Sequence, residues 1–191
     1  MIASYLAEML KVCGLAAPVY LVCRFLWLHF ISKNKAMNWY HEAGLLLFVC
    51  YIIGMCSITM NPVSLAISVA NNHFAPSFES VNLVPFRQIA EYGGMASMHE
   101  VVNLLGNILM FSPLGFCVVW LWRQRHPLAA GTLWTMAFSV LIEFVQLFSM
   151  RGTDIDDVIL NTAGGLIGAL IGVGLMKLMP RLSAKFIIQK E

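Results

Sequence analysis

Hydrophobic positions along this chain come in long blocks broken by short polar ones, with no sustained two-residue alternation of the kind that marks half-buried strands. Five blocks approach the roughly 20 predominantly apolar residues that a helix needs to cross a bilayer. They fall at about 6–31, 42–60, 99–122, 127–149 and 155–179. The first carries Lys11 and Arg24 within it and no A-x-A-like site follows, so it reads as a span rather than a cleaved signal peptide. The connections near 123–126 and 151–154 are very short, which makes the third, fourth and fifth spans antiparallel neighbours. The pattern predicts an all-α polytopic membrane bundle, a single integral membrane domain over 1–191. The long connection, 61–98, is expected to be functional or partly helical on the membrane surface.

Composition sharpens this. Apolar residues make up 59% of the chain and Asp, Glu, Lys and Arg only 12%, about half the ~25% charge of a soluble domain. A mean hydropathy of +0.76 agrees, and lipid must cover the excess. The formal net charge of +2 supplies no field for nucleic acid. Cytoplasmic loops carry the positive excess. Lys33 and Lys35 follow the first span, Arg123 and Arg125 the third, and Lys177, Arg181, Lys185 and Lys190 the fifth, whereas the opposite side holds Lys11, Arg87 and Arg151. The N-terminus is thus expected outside and the C-terminus inside, with Arg24 snorkelling to the inner face. Cys13, Cys23, Cys50, Cys56 and Cys117 lie in apolar stretches without ligand spacing and read as small apolar side chains buried in lipid. Trp39, Tyr40, Trp120 and Trp122 sit near span ends and read as interfacial anchors.

Polar side chains inside spans are costly and point to function by default. The third span has Asn103 and Asn107 one turn apart, the fourth has Glu143 and Gln146, and the fifth has Asp154, Asp157 and Asn161 on one face. Taking the outer helix ends near His99, Met150 and Asp154, at 1.5 Å rise per residue the other six groups lie roughly 5–12 Å inward. Three helices therefore place polar groups at one level, in the outer part of the bilayer. Arg87, in the segment Asn82-Leu83-Val84-Pro85-Phe86-Arg87, and Arg151 bring guanidinium groups toward these carboxylates, and either can also fork onto a phosphate or carboxylate. The reading is one outward-opening cavity lined by Asn82, Arg87, Asn103, Asn107, Glu143, Gln146, Arg151, Asp154, Asp157 and Asn161.

The segments Asn82-Leu83-Val84-Pro85-Phe86, Asn103 to Phe116 (NLLGNILMFSPLGF), Glu143-Phe144-Val145-Gln146 and Arg151 to Gly165 (RGTDIDDVILNTAGG) resemble, in order, those of the VanZ-like family of small membrane proteins. The resemblance covers roughly residues 42–175 and leaves out the first span. It implies a multi-pass protein of the bacterial cytoplasmic membrane, linked through the family's founding member to low-level resistance to the glycopeptide teicoplanin.

Several of these residues also have plainer readings. Asn103 and Asn107 can serve as interhelical packing contacts. Thr153 and Asp154 suit a helix N-cap, and Asp156 and Asp157 the first turn of a helix through its dipole. His99 and Glu100 suit a solvated helix start, while Gly164, Gly168 and Gly172 form a small-residue ridge for close helix contact, broadened by Gly165 and Gly174. Glu143 is harder to explain this way, since no local cap satisfies a carboxyl two turns inside the bilayer.

The first functional expectation is binding of an envelope lipid, a lipid-linked wall precursor or a glycopeptide-type antibiotic. The alternative is a membrane enzyme acting on a lipid head group, with Glu143 and Asp157 as a carboxylate pair. It can be metal-assisted by a divalent cation on Glu143, Asp154, Asp157 and Asn161. No cofactor is required by the sequence. A transporter is the third class; five spans lack an even inverted-repeat plan, so it needs an oligomer to complete a path.

Overall fold

In the computed structural model the described residues are 2–31, 38–60, 62–70, 75–76, 78, 81–87, 98–148 and 152–187. The chain folds into seven helices among these: α1 (Ile2–Leu26), continued by a wider π-helical turn at Trp27–Ile31, α2 (Trp39–Thr59), α3 (Pro62–Ala70), α4 (Met98–Leu121), α5 (Pro127–Gln146), α6 (Ile155–Leu178) and α7 (Pro180–Phe186). Two short extended segments, β1 (Val81–Asn82) and β2 (Thr153–Asp154), pair in parallel with Val81 opposite Thr153 and Asn82 opposite Asp154. Four helices are long and apolar enough to cross a membrane: Trp39–Thr59, Val101–Leu121, Pro127–Gln146 and Ile155–Leu178. The first expected span is helical, but its described apolar stretch is the shorter Ala16–Leu26.

Local chemistry sets the helix ends. Asn38 caps α2 by accepting from the Tyr40 and His41 N–H groups, and Asp154 caps α6 by accepting from Asp156 N–H at 2.8 Å. Proline opens α3, α5 and α7, where its missing N–H costs nothing. The described residues of the long connection include α3 and β1.

The tightest packing is among α4, α5 and α6. A Cβ at Gly168 would overlap the Ser112 carbonyl and one at Gly164 the Ile108 carbonyl, so both positions let the α4 and α6 backbones meet directly. Gly172 faces Trp120 and Phe116 in the same ridge, whereas Gly174 has open space beside it and takes no part. Met55, Phe111, Leu114 and Ile142 form one buried cluster, and Val119, Trp120 and Ala169 another. Trp120 corrects the expectation of an interfacial anchor. It is buried and donates Nε1–H to the Gly172 carbonyl at 3.0 Å. Trp39 is exposed, and Trp122 lies at the margin.

At the end of the bundle that carries Arg123, Arg125 and Lys185, α1 is joined to α2 by a bidentate pair, with Arg24 Nε and Nη2 donating to the two Glu42 carboxylate oxygens at 2.7 Å. Arg24 thus meets a carboxylate rather than ending at the membrane face alone. Beside it, His41 Nδ1 bonds the Phe186 carbonyl and Asn38 Nδ2 donates to the Lys185 carbonyl, which fixes α7 against the start of α2.

Candidate functional site

The opposite end of the bundle is where the polar residues converge. Glu143, one turn before the end of α5, is buried, and its Oε2 accepts from the Asp154 N–H at 2.9 Å. Thr153 Oγ1 donates to the Glu143 carbonyl at 3.2 Å. A side chain near the end of α5 therefore receives the backbone of the turn that follows its own helix, which corrects the expectation of a carboxyl two turns inside the bilayer with no local partner. Asp154, also buried, accepts on Oδ1 from Asn82 Nδ2 at 2.9 Å as well as from the Asp156 N–H. Asn82 in turn accepts on Oδ1 from the Val84 N–H, closing an Asx turn over Leu83.

That turn leads to Phe86, the one non-glycine residue with positive φ (63°) among the described residues. Left-handed backbone is costly for a bulky side chain and persists where surroundings fix it. Here the Phe86 N–H donates to Asp156 Oδ1. Asp156 is 1% exposed, the most buried of the described acids. The segment Asn82–Phe86 is thus tied twice to the start of α6, through Asp154 and through Asp156. Arg87 follows immediately and is exposed.

Deeper in the bundle, Asn107 Nδ2 donates to Asp157 Oδ1 at 2.7 Å, joining α4 to α6, and Asn161 Nδ2 donates to Ser139 Oγ at 2.9 Å, joining α6 to α5. Asn161 is 4% exposed and its Oδ1 has no hydrogen-bond partner. An unpaired buried amide oxygen costs about 1–3 kcal/mol, unless water or a ligand supplies the donor. Gln146 Nε2 donates to the Thr59 carbonyl at 2.9 Å, which closes the end of α2 onto α5.

The structure thus joins Asn82, Glu143 and Asp154 in one network, Asn107 and Asp157 in a second, and links Asn161 and Gln146 to neighbouring helices. Asn103 is exposed, one turn from half-buried Asn107. Arg151 and the side chains of His99 and Glu100 lie outside the described residues. Sequence reasoning passed over two participants. Asp156 was accounted for by the helix dipole alone, and Ser139 is one hydroxyl in an apolar helix; its spacing of four from both Thr135 and Glu143, all buried, is the signal that marks this α5 face. Among the described residues no three His, Cys, Asp or Glu side chains stand together so as to hold a metal ion. Carboxylate oxygens on Glu143, Asp154 and Asp156 accept backbone N–H groups.

Comparison with curated proteins and with solved structures finds no significant match. The VanZ/LLP1 family model matches residues 48–177. That stretch runs from the middle of α2 to the end of α6 and takes in Asn82, Asn107, Glu143, Asp154, Asp156, Asp157 and Asn161, and since it covers more than half of the chain, the protein belongs to the VanZ/LLP1 family.

Proposed function

We propose that this is an envelope protein of the bacterial cytoplasmic membrane whose acidic helix ends face outward and bind the head group of an amphiphile. The amphiphile is an envelope lipid, a lipid-linked wall precursor or a lipid-bearing glycopeptide antibiotic, and binding contributes to teicoplanin resistance. One observation carries this reading. Segments as far apart as Asn82 and Asp154 are bonded at one end of the bundle, where the buried acids Glu143, Asp154 and Asp156, with the Asn107–Asp157 pair deeper in, exceed what helix capping requires.

The carboxylates shape the loop, and the loop presents exposed Leu83, Val84, Phe86 and Arg87 at its rim. Apolar side chains beside a guanidinium suit a ligand with a hydrocarbon part and an anionic part. The opposite end carries Arg123, Arg125, Lys177, Arg181 and Lys185, which supports an outward orientation for the acidic end through the positive-inside bias. The enzyme reading needs a carboxylate able to exchange a proton with substrate; Glu143 and Asp157 are the carboxylates it would use, and the unpartnered amide oxygen of Asn161 would accept a hydrogen bond from substrate.

A photoreactive amino acid at Val84, with teicoplanin or a polyprenyl-phosphate wall precursor added to the reconstituted protein, tests the binding site. Crosslinking competed by unlabelled ligand is expected. Equal crosslinking from a lipid-facing control at Leu133 on α5 would show contact with bulk lipid in place of a site.

A further inference from the structure

A second concave surface lies at the other end of the bundle, outside the acidic network. Phe48 and Ile52 of α2, Leu114 and Trp122 of α4 and its end, and Trp134 and Phe138 of α5 line a cavity of about 470 Å³. That volume is within the ~300–1,000 Å³ range of ligand pockets. Gln124, in the turn joining α4 to α5, is the polar group at its mouth. Arg123 and Arg125 flank Gln124 in that turn, and both are exposed.

We propose that this groove holds one acyl chain of an anionic glycerophospholipid, with the phosphate against the Arg123-Gln124-Arg125 turn. Three features select that occupant. All three walls are membrane-spanning helices, so hydrocarbon is the medium that meets the groove. Phe138 lies eleven residues into α5, which puts the far end of the groove ~17 Å from the turn by helix rise, close to the ~15 Å half-thickness of a bilayer's hydrocarbon core. The turn that brings Gln124 to the groove also carries the exposed Arg123 and Arg125, whose charge complements a phosphate and not a zwitterion's added ammonium. Straight walls of Leu and Ile would suit any lipid; a slot one leaflet deep, aromatic along its sides and basic at its mouth, selects head-group charge and a single extended chain together.

Tryptophan quenching by brominated lipid reads both parts. The chain has five tryptophans, so the full chain carrying Trp27→Phe and Trp39→Phe leaves Trp122 and Trp134 at the groove and Trp120 in the core. It is reconstituted in phosphatidylcholine vesicles with increasing fractions of lipid brominated mid-chain. Brominated phosphatidylglycerol is expected to quench at roughly thirtyfold lower mole fraction than brominated phosphatidylcholine, the order of effect two arginines near a membrane surface give. Arg123→Gln with Arg125→Gln should abolish that preference, and Ile52→Phe, which adds a ring to the groove wall, should lower quenching by the anionic lipid. Should Ile52→Phe fail to assemble, the arginine pair on its exposed turn still decides. Equal quenching by both lipids would mean ordinary boundary lipid, preference surviving loss of both arginines would remove the head-group site, and no quenching by either would mean that protein covers the groove; each outcome overturns the proposal.

Discussion

Asp156 shows how a residue explained by local rules alone acquires a second role once the chain folds. An aspartate in the first helical turn needs no further account in sequence, and the partner it holds, the Phe86 N–H, lies 70 residues away. Glu143, Asp157 and Asn107 were legible because a charge or amide in an apolar run is costly and points to function; Asn82 was legible through its motif, but its bond to Asp154 spans 72 residues and no spacing rule reveals it. Removing the acceptor at 156 should therefore loosen the loop rather than the helix. Asp156→Ala leaves the Phe86 N–H unpaired and forfeits a bond to a charged group, typically about 1.5–3 kcal/mol, so amide hydrogen exchange at Phe86 and Arg87 should accelerate while exchange along α6 stays slow. Unchanged exchange at Phe86 would show that other contacts hold the turn.

At the level of elements, four apolar blocks became helices of spanning length among the described residues, and the first is helical with a described apolar stretch of Ala16–Leu26. The parallel β1–β2 contact had no signature, because two residues per strand carry no periodicity. Burial of Trp120 was equally hidden: proximity to a helix end suggests an anchor, but the gap opposite Gly172 accepts the indole instead. The glycine ridge was legible from spacing, and the structure sorts its members. Gly168→Leu drives a side chain into the Ser112 backbone, where overpacking costs about 1–3 kcal/mol or more, and should sharply lower the amount of folded protein in the membrane. Gly106→Ala, with nothing within 4 Å of the new Cβ, should leave that amount unchanged. Equal loss in both, measured by fluorescence-detected size exclusion, would contradict the assigned α4–α6 contact.

For the whole molecule, the two ends of the bundle differ in kind: acids, amides and the Asn82–Arg87 loop at one, arginines and lysines with the α7 anchor at the other. The proposed orientation rests on this asymmetry through the positive-inside bias. An impermeant thiol reagent applied to intact cells should label Leu83→Cys and spare His126→Cys in a chain whose own cysteines are replaced; the reverse pattern would invert the topology. The central claim is that the acidic end is a ligand site and not only a helix joint. Glu143→Gln and Asp157→Asn separate the two, because each keeps shape and an acceptor oxygen while removing charge and proton exchange. The decisive measurement is the teicoplanin susceptibility of bacteria expressing each variant at membrane levels matched to the unaltered chain. Loss of protection by both variants at matched levels is the predicted result; full protection by both would contradict the account and leave these carboxylates a purely structural role.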